Sequence, residues 1–166
     1  MKKLTYLLIA GALFLMMGLP FAGNSAEADQ APLSQADASA LLKKAQDAEA
    51  SLTEKERSKA EMAAILTTYM TPEIAGQYIK ANAVKGNNEW IVYGTDFPAL
   101  AVPYFDYSQN TKIANEKDGV LVYQHFAAED EGPVSYSGHY ESVTLKKDDG
   151  AWKISSINPY SETLKQ

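Results

Sequence analysis

The stretch from His139 to Ile157 constrains the fold more than any other part of the chain, because it alternates in the manner of two paired strands. It reads HYESVTLKKDDGAWKISSI, and the pair Asp149-Gly150 separates its two alternating halves. Asp-Gly between two such halves is typical of a two-residue hairpin turn, in which both residues adopt a positive φ. The sequence therefore predicts an antiparallel sheet that ends in this hairpin.

The predicted turn also determines which face of the hairpin is buried. It sets Leu145 opposite Ile154 on one face of the sheet. On the other face it sets Lys146 opposite Lys153. Lysine is rarely buried in a protein interior, so the first face, which also carries Trp152, is predicted to be the core face.

The same alternation, carried back by one strand, predicts a polar cluster on the inner side of the sheet. An assumed turn at residues 129–133 sets Leu121 opposite Val143 and extends the core face along the preceding strand. This register brings both histidines of the chain, a carboxylate and a phenol to the wider end of the sheet, and the cluster depends on it. The predicted ligand-binding residues are Tyr123, His125, His139, Glu141 and Trp152.

Three interpretations of this cluster are open. His125, His139 and Glu141 have the ligand types of a zinc, iron or copper site. With Tyr123 the same groups form a titratable set that suits acid and base catalysis on a small molecule. In the third interpretation the groups only hydrogen-bond one another at the mouth of a pocket. Because their spacing matches no recognised motif, the sequence assigns no catalytic residue, no metal and no cofactor.

The opposite face of the predicted sheet is too apolar to be bare. An apolar face of this kind marks a subunit contact or a cover by another element. A homodimer through the outer sheet face is therefore one expected assembly. On the assumed register this face carries Val120, Val122, Phe126, Tyr136 and Tyr140.

The chain before the sheet has helical periodicity. An N-cap in residues 34–37 predicts a helix to about Ser51. A capping box in residues 53–56 predicts the start of a second helix, and Thr71-Pro72 predicts the start of a third, which ends near Asn82. After a turn at residues 85–88 the pattern changes to period two, which predicts strands at 90–93, 111–114, 120–126, 134–147 and 151–157.

Aromatic residues are concentrated between the first two of these strands. They suit core packing, and they also suit stacking on a sugar or a peptide. The set is Trp90, Tyr93, Phe97, Tyr104, Phe105 and Tyr107.

The first residues have the pattern of a secretory leader. A positively charged start precedes an apolar run at residues 4–17, and small residues predict a cut after Ala28, with Ser25 as the alternative. The protein is therefore expected to be secreted and to have no stable membrane anchor after cleavage. The expected organisation is a signal peptide at 1–28, a lead-in and first helix at 29–52, and a single α+β domain at 53–160.

Composition excludes several classes of function. The chain has 21 acidic and 15 basic residues, a formal net charge of −6, and no cysteine. A nucleic-acid partner normally requires clustered lysine and arginine, which this chain does not have. Without cysteine there is no disulfide framework, no thiolate chemistry and no Cys-ligated zinc. The expected partner is an unknown small ligand or a protein, and not a nucleic acid.

Helices followed by a long antiparallel sheet that ends in LKKDDGAWKI at residues 145–154 resemble the nuclear transport factor 2-like (NTF2-like) cone. The segment YMTPE at residues 69–73, ahead of the sheet, is similar to small secreted proteins of unknown function from Bacillus-type bacteria. The resemblance implies an α+β fold in which N-terminal helices pack on a curved antiparallel sheet, as in NTF2-like and cystatin-like cones, with a concave pocket between them. Some members use this pocket for catalysis and many others for binding or dimerisation.

The expected function is a secreted, non-catalytic ligand- or protein-binding module of unknown specificity. The alternative is a small-molecule enzyme. Its pocket residues would be Tyr123, His125, His139 and Glu141.

Overall fold

Helices precede strands throughout the part of the chain that the structure describes. The computed structural model describes residues 33–95, 98–131 and 135–164, so the predicted signal peptide lies outside the described residues. No helix in these ranges is long and apolar enough to span a bilayer. The elements are α1 (Gln35–Ser51), α2 (Lys59–Leu66), α3 (Pro72–Asn82), β1 (Ala83–Lys85), β2 (Trp90–Val92), β3 (Lys112–Glu116), β4 (Gly119–Phe126), β5 (His139–Asp148) and β6 (Ala151–Ser161).

The strands form two antiparallel sheets, and the predicted α+β class is confirmed. β1 and β2 pair with each other in a small sheet, whereas the larger sheet has the order β3-β4-β5-β6. Strands that are consecutive in the chain are also neighbours in the larger sheet, so this sheet is a meander. The separate two-stranded sheet was not evident from the sequence.

The hairpin between β5 and β6 has the predicted register at its turn. Asp149 has a φ of 49° and Gly150 a φ of 80°, the two positive values that such a turn requires. Leu145 pairs with Ile154, and both side chains are fully buried. The lysines at 146 and 153 pair on the opposite face, so the choice of core face is confirmed.

The predicted register between β4 and β5 is wrong by one residue. Val122, and not Leu121, pairs with Val143, and Phe126 pairs with His139. The chain between these strands is a long excursion over residues 127–138, so no tight turn sets the register. Burial of the β4 valines sets it instead.

The corrected register exchanges the two faces of β4. Val120 and Val122, predicted to face outward, are 2% and 1% exposed and belong to the core. Tyr123 and His125, predicted to face inward, lie on the outer face, where His125 pairs with Tyr140. The expected homodimer loses Val120, Val122 and Phe126 from the surface on which it was based, and it stays a prediction.

The predicted starts of α1 and α3 are confirmed. The hydroxyl of Ser34 accepts a hydrogen bond from the amide of Asp37, and α1 follows it to Ser51. Pro72 opens α3, which ends at Asn82. These helix ends are set by local chemistry, which explains why the sequence predicts them.

The predicted capping box at Thr53 and Glu56 is wrong. α2 is capped five residues later, where Ser58 and Glu61 exchange the two reciprocal hydrogen bonds. The Glu56 carboxylate accepts instead from the three backbone amides of residues 87–89, at 2.6 to 2.9 Å. The hydrogen bonds from these amides lower the pKa of Glu56 below its usual range and tie the β1–β2 turn to the chain before α2.

The link between α2 and α3 runs along β6. The amide of Thr71 donates to the carbonyl oxygen of Ile154 at 2.8 Å, and the Ile154 amide donates to the carbonyl oxygen of Tyr69 at 2.8 Å. The ammonium group of Lys153 donates to the carbonyl oxygen of Thr67 at 2.7 Å. The helices are thereby anchored to the outer edge of the hairpin.

Candidate functional site

The buried face of α1 carries two polar residues, Gln46 and Glu49. Leu42 is fully buried on this face, whereas Ala40 is exposed. The amide nitrogen of Gln46 donates to the carbonyl oxygen of Pro103 at 2.7 Å, which accounts for its burial. The buried face consists of Ala38, Leu42, Ala45, Gln46, Ala48, Glu49 and Leu52.

A cavity of about 170 Å³ opens beside Glu49, between the end of α1, α3 and the chain that follows β2. A dry cavity of about 150 Å³ holds a benzene molecule, so this space accommodates one ring-sized group. Residues that line it include Glu49, Tyr78, Val92, Tyr93, Ala101 and Tyr104.

Side chains of the two long helices hold the segment that covers the cavity. Both carboxylate oxygens of Glu49 accept from the amide of Val102, at 3.1 and 3.2 Å. Asn82, at the end of α3, donates to the carbonyl oxygen of Ala99 at 2.7 Å and accepts from the Ala99 amide at 3.0 Å. The cavity is therefore bounded by backbone that has fixed partners on both α1 and α3.

The environment of Glu49 favours its neutral form. Burial raises the pKa of Glu49 to about 8, and the hydrogen bond from the Val102 amide offsets only part of this effect. At pH 7 the group therefore mostly retains its proton, and it presents a hydroxyl donor as well as a carbonyl acceptor. A carboxyl group with a perturbed pKa in a cavity is a recognised indicator of a functional site.

Tyr78 lies opposite this carboxyl group as a second polar group of the cavity. Its side chain is 2% exposed, and burial raises the pKa of its phenol above the usual range. Its hydroxyl makes no hydrogen bond within the part of the chain that the structure describes. A buried phenol that stays protonated is a ready donor to a bound molecule.

Two aromatic rings stand at the mouth of the cavity. Tyr93 and Tyr104 are 64% and 75% exposed, unusual values for large aromatic side chains. Phe105 is buried in the core, which agrees with core packing, and stacking of the exposed rings on a sugar or a peptide stays a prediction. Phe97 lies outside the described residues.

The predicted cluster is divided between the two faces of the larger sheet. His139 and Glu141 lie on the core side, and Trp152 packs against the core from the neighbouring strand. Tyr123 and His125 lie on the outer side, so the two-histidine metal site and the four-residue catalytic set do not form. No group of three or more His, Asp or Glu side chains suited to a metal occurs among the described residues.

His139 is occupied by its own neighbours. Its Nδ1 lies 3.0 Å from the carbonyl oxygen of Ser137, and its Nε2 lies 3.2 Å from Oε1 of Glu141. The rings of Phe126 and Tyr160 stack on its two sides, with centroid distances of 5.5 and 4.6 Å. This arrangement agrees with the third interpretation of the cluster, in which the groups hydrogen-bond one another.

Glu49 was missed as a site residue, although a sequence signal for it exists. Positions 38, 42, 45, 49 and 52 follow the alternating spacing of four and three that marks one face of a helix. Four of these positions are apolar, and Glu49 interrupts the series. A carboxylate at an apolar position of a helical stripe predicts either a shifted stripe or a buried acid, and the structure has the buried acid.

A broad groove of about 1090 Å³ crosses the outer face of the sheet near the β3–β4 turn. Hydroxyl groups and exposed side chains of both charges line it, among them Thr71, Glu116, Lys117 and Thr144. Its acidic and basic groups remain in water, so the groove has no group comparable to Glu49.

Comparison with known proteins gives one family. The model of the family described as "Protein of unknown function (DUF3993)" matches residues 34–126. No curated protein and no solved structure matches the chain. The matched region contains all the described lining of the Glu49 cavity and ends before β5.

Proposed function

The chain belongs to the DUF3993 family of proteins of unknown function, and for this member we propose a secreted, non-catalytic module that binds a small uncharged ligand in the cavity at Glu49. One observation carries the proposal: a buried, neutral carboxyl group and a phenol whose hydroxyl has no hydrogen-bond partner among the described residues line the same ring-sized space. No buried side-chain oxygen or nitrogen of the described residues lacks a partner, so the Tyr78 hydroxyl reaches the open space of the cavity, where a ligand can accept its hydrogen bond.

The chemistry of the cavity favours binding over catalysis. Its described lining contains no histidine and no cysteine, so Glu49 has no second titratable partner for proton transfer near neutral pH. An anionic ligand is disfavoured because it would repel Glu49 whenever the carboxyl group ionises. An uncharged ring with a carbonyl or hydroxyl group fits the donors inside, and its outer edge would contact Tyr93 and Tyr104.

We also propose kinship with the NTF2-like cones and with small secreted proteins of Bacillus-type bacteria. The order of three helices and a four-stranded antiparallel meander supports the first relation, and the YMTPE segment at residues 69–73 supports the second.

Secretion gives a direct prediction at the leader. When the full chain is expressed in a Gram-positive host, we expect the protein in the culture medium with Asp29 as its first residue, as read by intact mass and N-terminal sequencing. Ala28→Asp should block the cut, because the enzyme requires a small residue there, whereas Ala31→Asp should not. A protein that stays with the cells, or that is cut with equal efficiency in both variants, would refute the prediction.

Ligand binding is tested with three uncharged probes: phenol, benzamide and methyl β-D-glucopyranoside. In titrations of the purified full chain followed by amide NMR, we expect at least one probe to saturate with a Kd of about 1 mM, which suits a ligand of this size. The largest chemical-shift changes should occur at the amides of Ala50 and Val102, since they flank the carboxyl group.

Two substitutions of Glu49 test whether its hydrogen-bonding groups contribute to ligand affinity. Glu49→Gln keeps a neutral donor and acceptor and should retain the affinity within about threefold, whereas Glu49→Leu removes both and should weaken binding at least about tenfold. Tyr160→Phe, far along β6, is the matched control. Equal affinity of all three variants, or no saturation by any probe while the amide spectrum remains dispersed, would overturn the proposal.

A further inference from the structure

A further cleft, distinct from the broad groove near the β3–β4 turn, lies on the outer face of the larger sheet, where β3, β4 and β5 run side by side. Its volume is about 380 Å³. It is separate from the Glu49 cavity, with which it shares no lining residue. The residues that line it are Asn110, Lys112, Tyr123, His125 and Tyr140.

The lining of this cleft consists of hydrogen-bond donors and has no carboxylate. The side chains of Lys112 and His125 make no hydrogen bond or ion pair within the described part of the chain. The hydroxyl groups of Tyr123 and Tyr140 also lack partners there. In a chain with a net charge of −6, a concentration of donors and basic groups without an acid is a specific feature that attracts an anion.

One acid, Asp106, hydrogen-bonds to a residue that lines the cleft. The Asp106 carboxylate accepts from the Ser108 amide at 2.8 Å, from the Asn110 side-chain amide at 2.8 Å and from the Thr111 hydroxyl at 3.1 Å. The first of these hydrogen bonds contributes most to lowering the pKa of Asp106 to about 2. Asp106 makes no ion pair with Lys112, and its ionised carboxylate lies on the Asn110 side of the cleft, where it holds the Asn110 side chain.

Aromatic rings form one wall of the cleft. Tyr140 lies in the middle of this wall, because its ring centroid is 4.8 Å from that of His125 and 6.4 Å from that of Tyr123. The rings are tilted by 61° and 56° to that of Tyr140, so the wall presents both ring edges and ring faces. Aromatic faces and edges of this kind favour a planar partner.

We infer that this outer-face cleft binds a small oxyanion carried on a flat ring, with the anion at Lys112 and His125 and the ring against Tyr140. Carboxylates and phosphate monoesters share this chemistry, and both form charge-assisted hydrogen bonds with basic side chains. The register correction supports the assignment, because it is the same correction that brings Tyr123 and His125 to one side with Tyr140.

The test uses the purified full chain at constant ionic strength, titrated with benzoate, phenyl phosphate and uncharged benzyl alcohol and followed by amide NMR. We expect saturable shifts at residues 112, 123, 125 and 140 with one or both anions, and no saturation with benzyl alcohol. Saturation by benzoate alone identifies a carboxylate site, and saturation by phenyl phosphate alone identifies a phosphate site.

Lys112→Met should weaken anion binding at least about tenfold, because the anion loses its charged donor. Lys117→Met is the matched control, since Lys117 is exposed on the adjacent β3–β4 turn and lies outside the cleft. Tyr140→Leu should weaken binding severalfold and Tyr140→Phe less. Equal losses for the two lysine variants, equal binding of benzyl alcohol, or shifts that never saturate would overturn the inference.

Discussion

Replacing Val122 with aspartate is expected to unfold the protein or to reduce its free energy of unfolding by about 3–5 kcal/mol, since the new carboxylate would be buried without a partner. Val122 is 1% exposed and packs in the core beside its cross-strand partner Val143. Most domains have only about 5–15 kcal/mol of stability, so this single change consumes a large part of it. Urea unfolding followed by circular dichroism measures the effect.

The matched control introduces aspartate one position later, at Tyr123. Tyr123 is half-buried on the outer face, and Tyr123→Asp should cost only about 1–2 kcal/mol, from a poorer strand residue and a lost contact with the Tyr140 ring. The pair therefore tests the register of β4 directly. If Tyr123→Asp unfolds the protein and Val122→Asp does not, the inner and outer faces of β4 are reversed.

Glu49→Gln is expected to remove most of the pH dependence of stability between pH 5 and pH 8. The pKa of Glu49 is about 8 in the folded chain and 4.5 without the fold. Below pH 4.5 both states are protonated, and the contribution to stability is fully present. As the pH rises, the unfolded chain releases this proton while the folded chain retains it, so stability falls by up to about 1.4 kcal/mol per pH unit until about pH 8.

Urea unfolding at pH 5, 6, 7 and 8 checks this prediction. The free energy of unfolding of the Glu49→Gln variant, relative to that of the unchanged chain, should rise by about 2–4 kcal/mol over this range. Asp106, Glu56 and Glu61 have lowered pKa values, so their stabilisation is lost only at more acid pH and does not overlap this window. Parallel stability curves for the two proteins would mean that Glu49 is ionised in the folded chain.

Glu56 and Glu61 show why the same sequence pattern predicts a helix cap correctly at one position and wrongly at another. The pattern of Ser or Thr followed three residues later by Glu occurs at Thr53 and again at Ser58. Only the second forms a capping box, because the Glu56 carboxylate has three backbone amides within reach from residues 87–89. Those amides lie some thirty positions away in the chain, so no local pattern reveals them.

The predicted ligand cluster failed for a related reason. A strand alternates with a period of two, so an error of one residue in pairing exchanges its faces. The connection between β4 and β5 is too long to determine the pairing, and the assumed turn at residues 129–133 supplied the wrong count. His139 and Glu141 remained on the core side because they belong to the same hairpin as Leu145, whereas Tyr123 belongs to the strand that shifted.

The sequence by itself determined the α+β class, the ends of α1 and α3, and the register at the turn of the last hairpin. Caps, an N-terminal proline and an Asp-Gly turn act over a few residues, so their effect is already present in the unfolded chain's local preferences. Only the tertiary structure decided which face of β4 is buried and that Glu49 is enclosed with Tyr78. Both depend on packing between distant segments, where the burial of Val122 and the backbone amide of Val102 settle the arrangement.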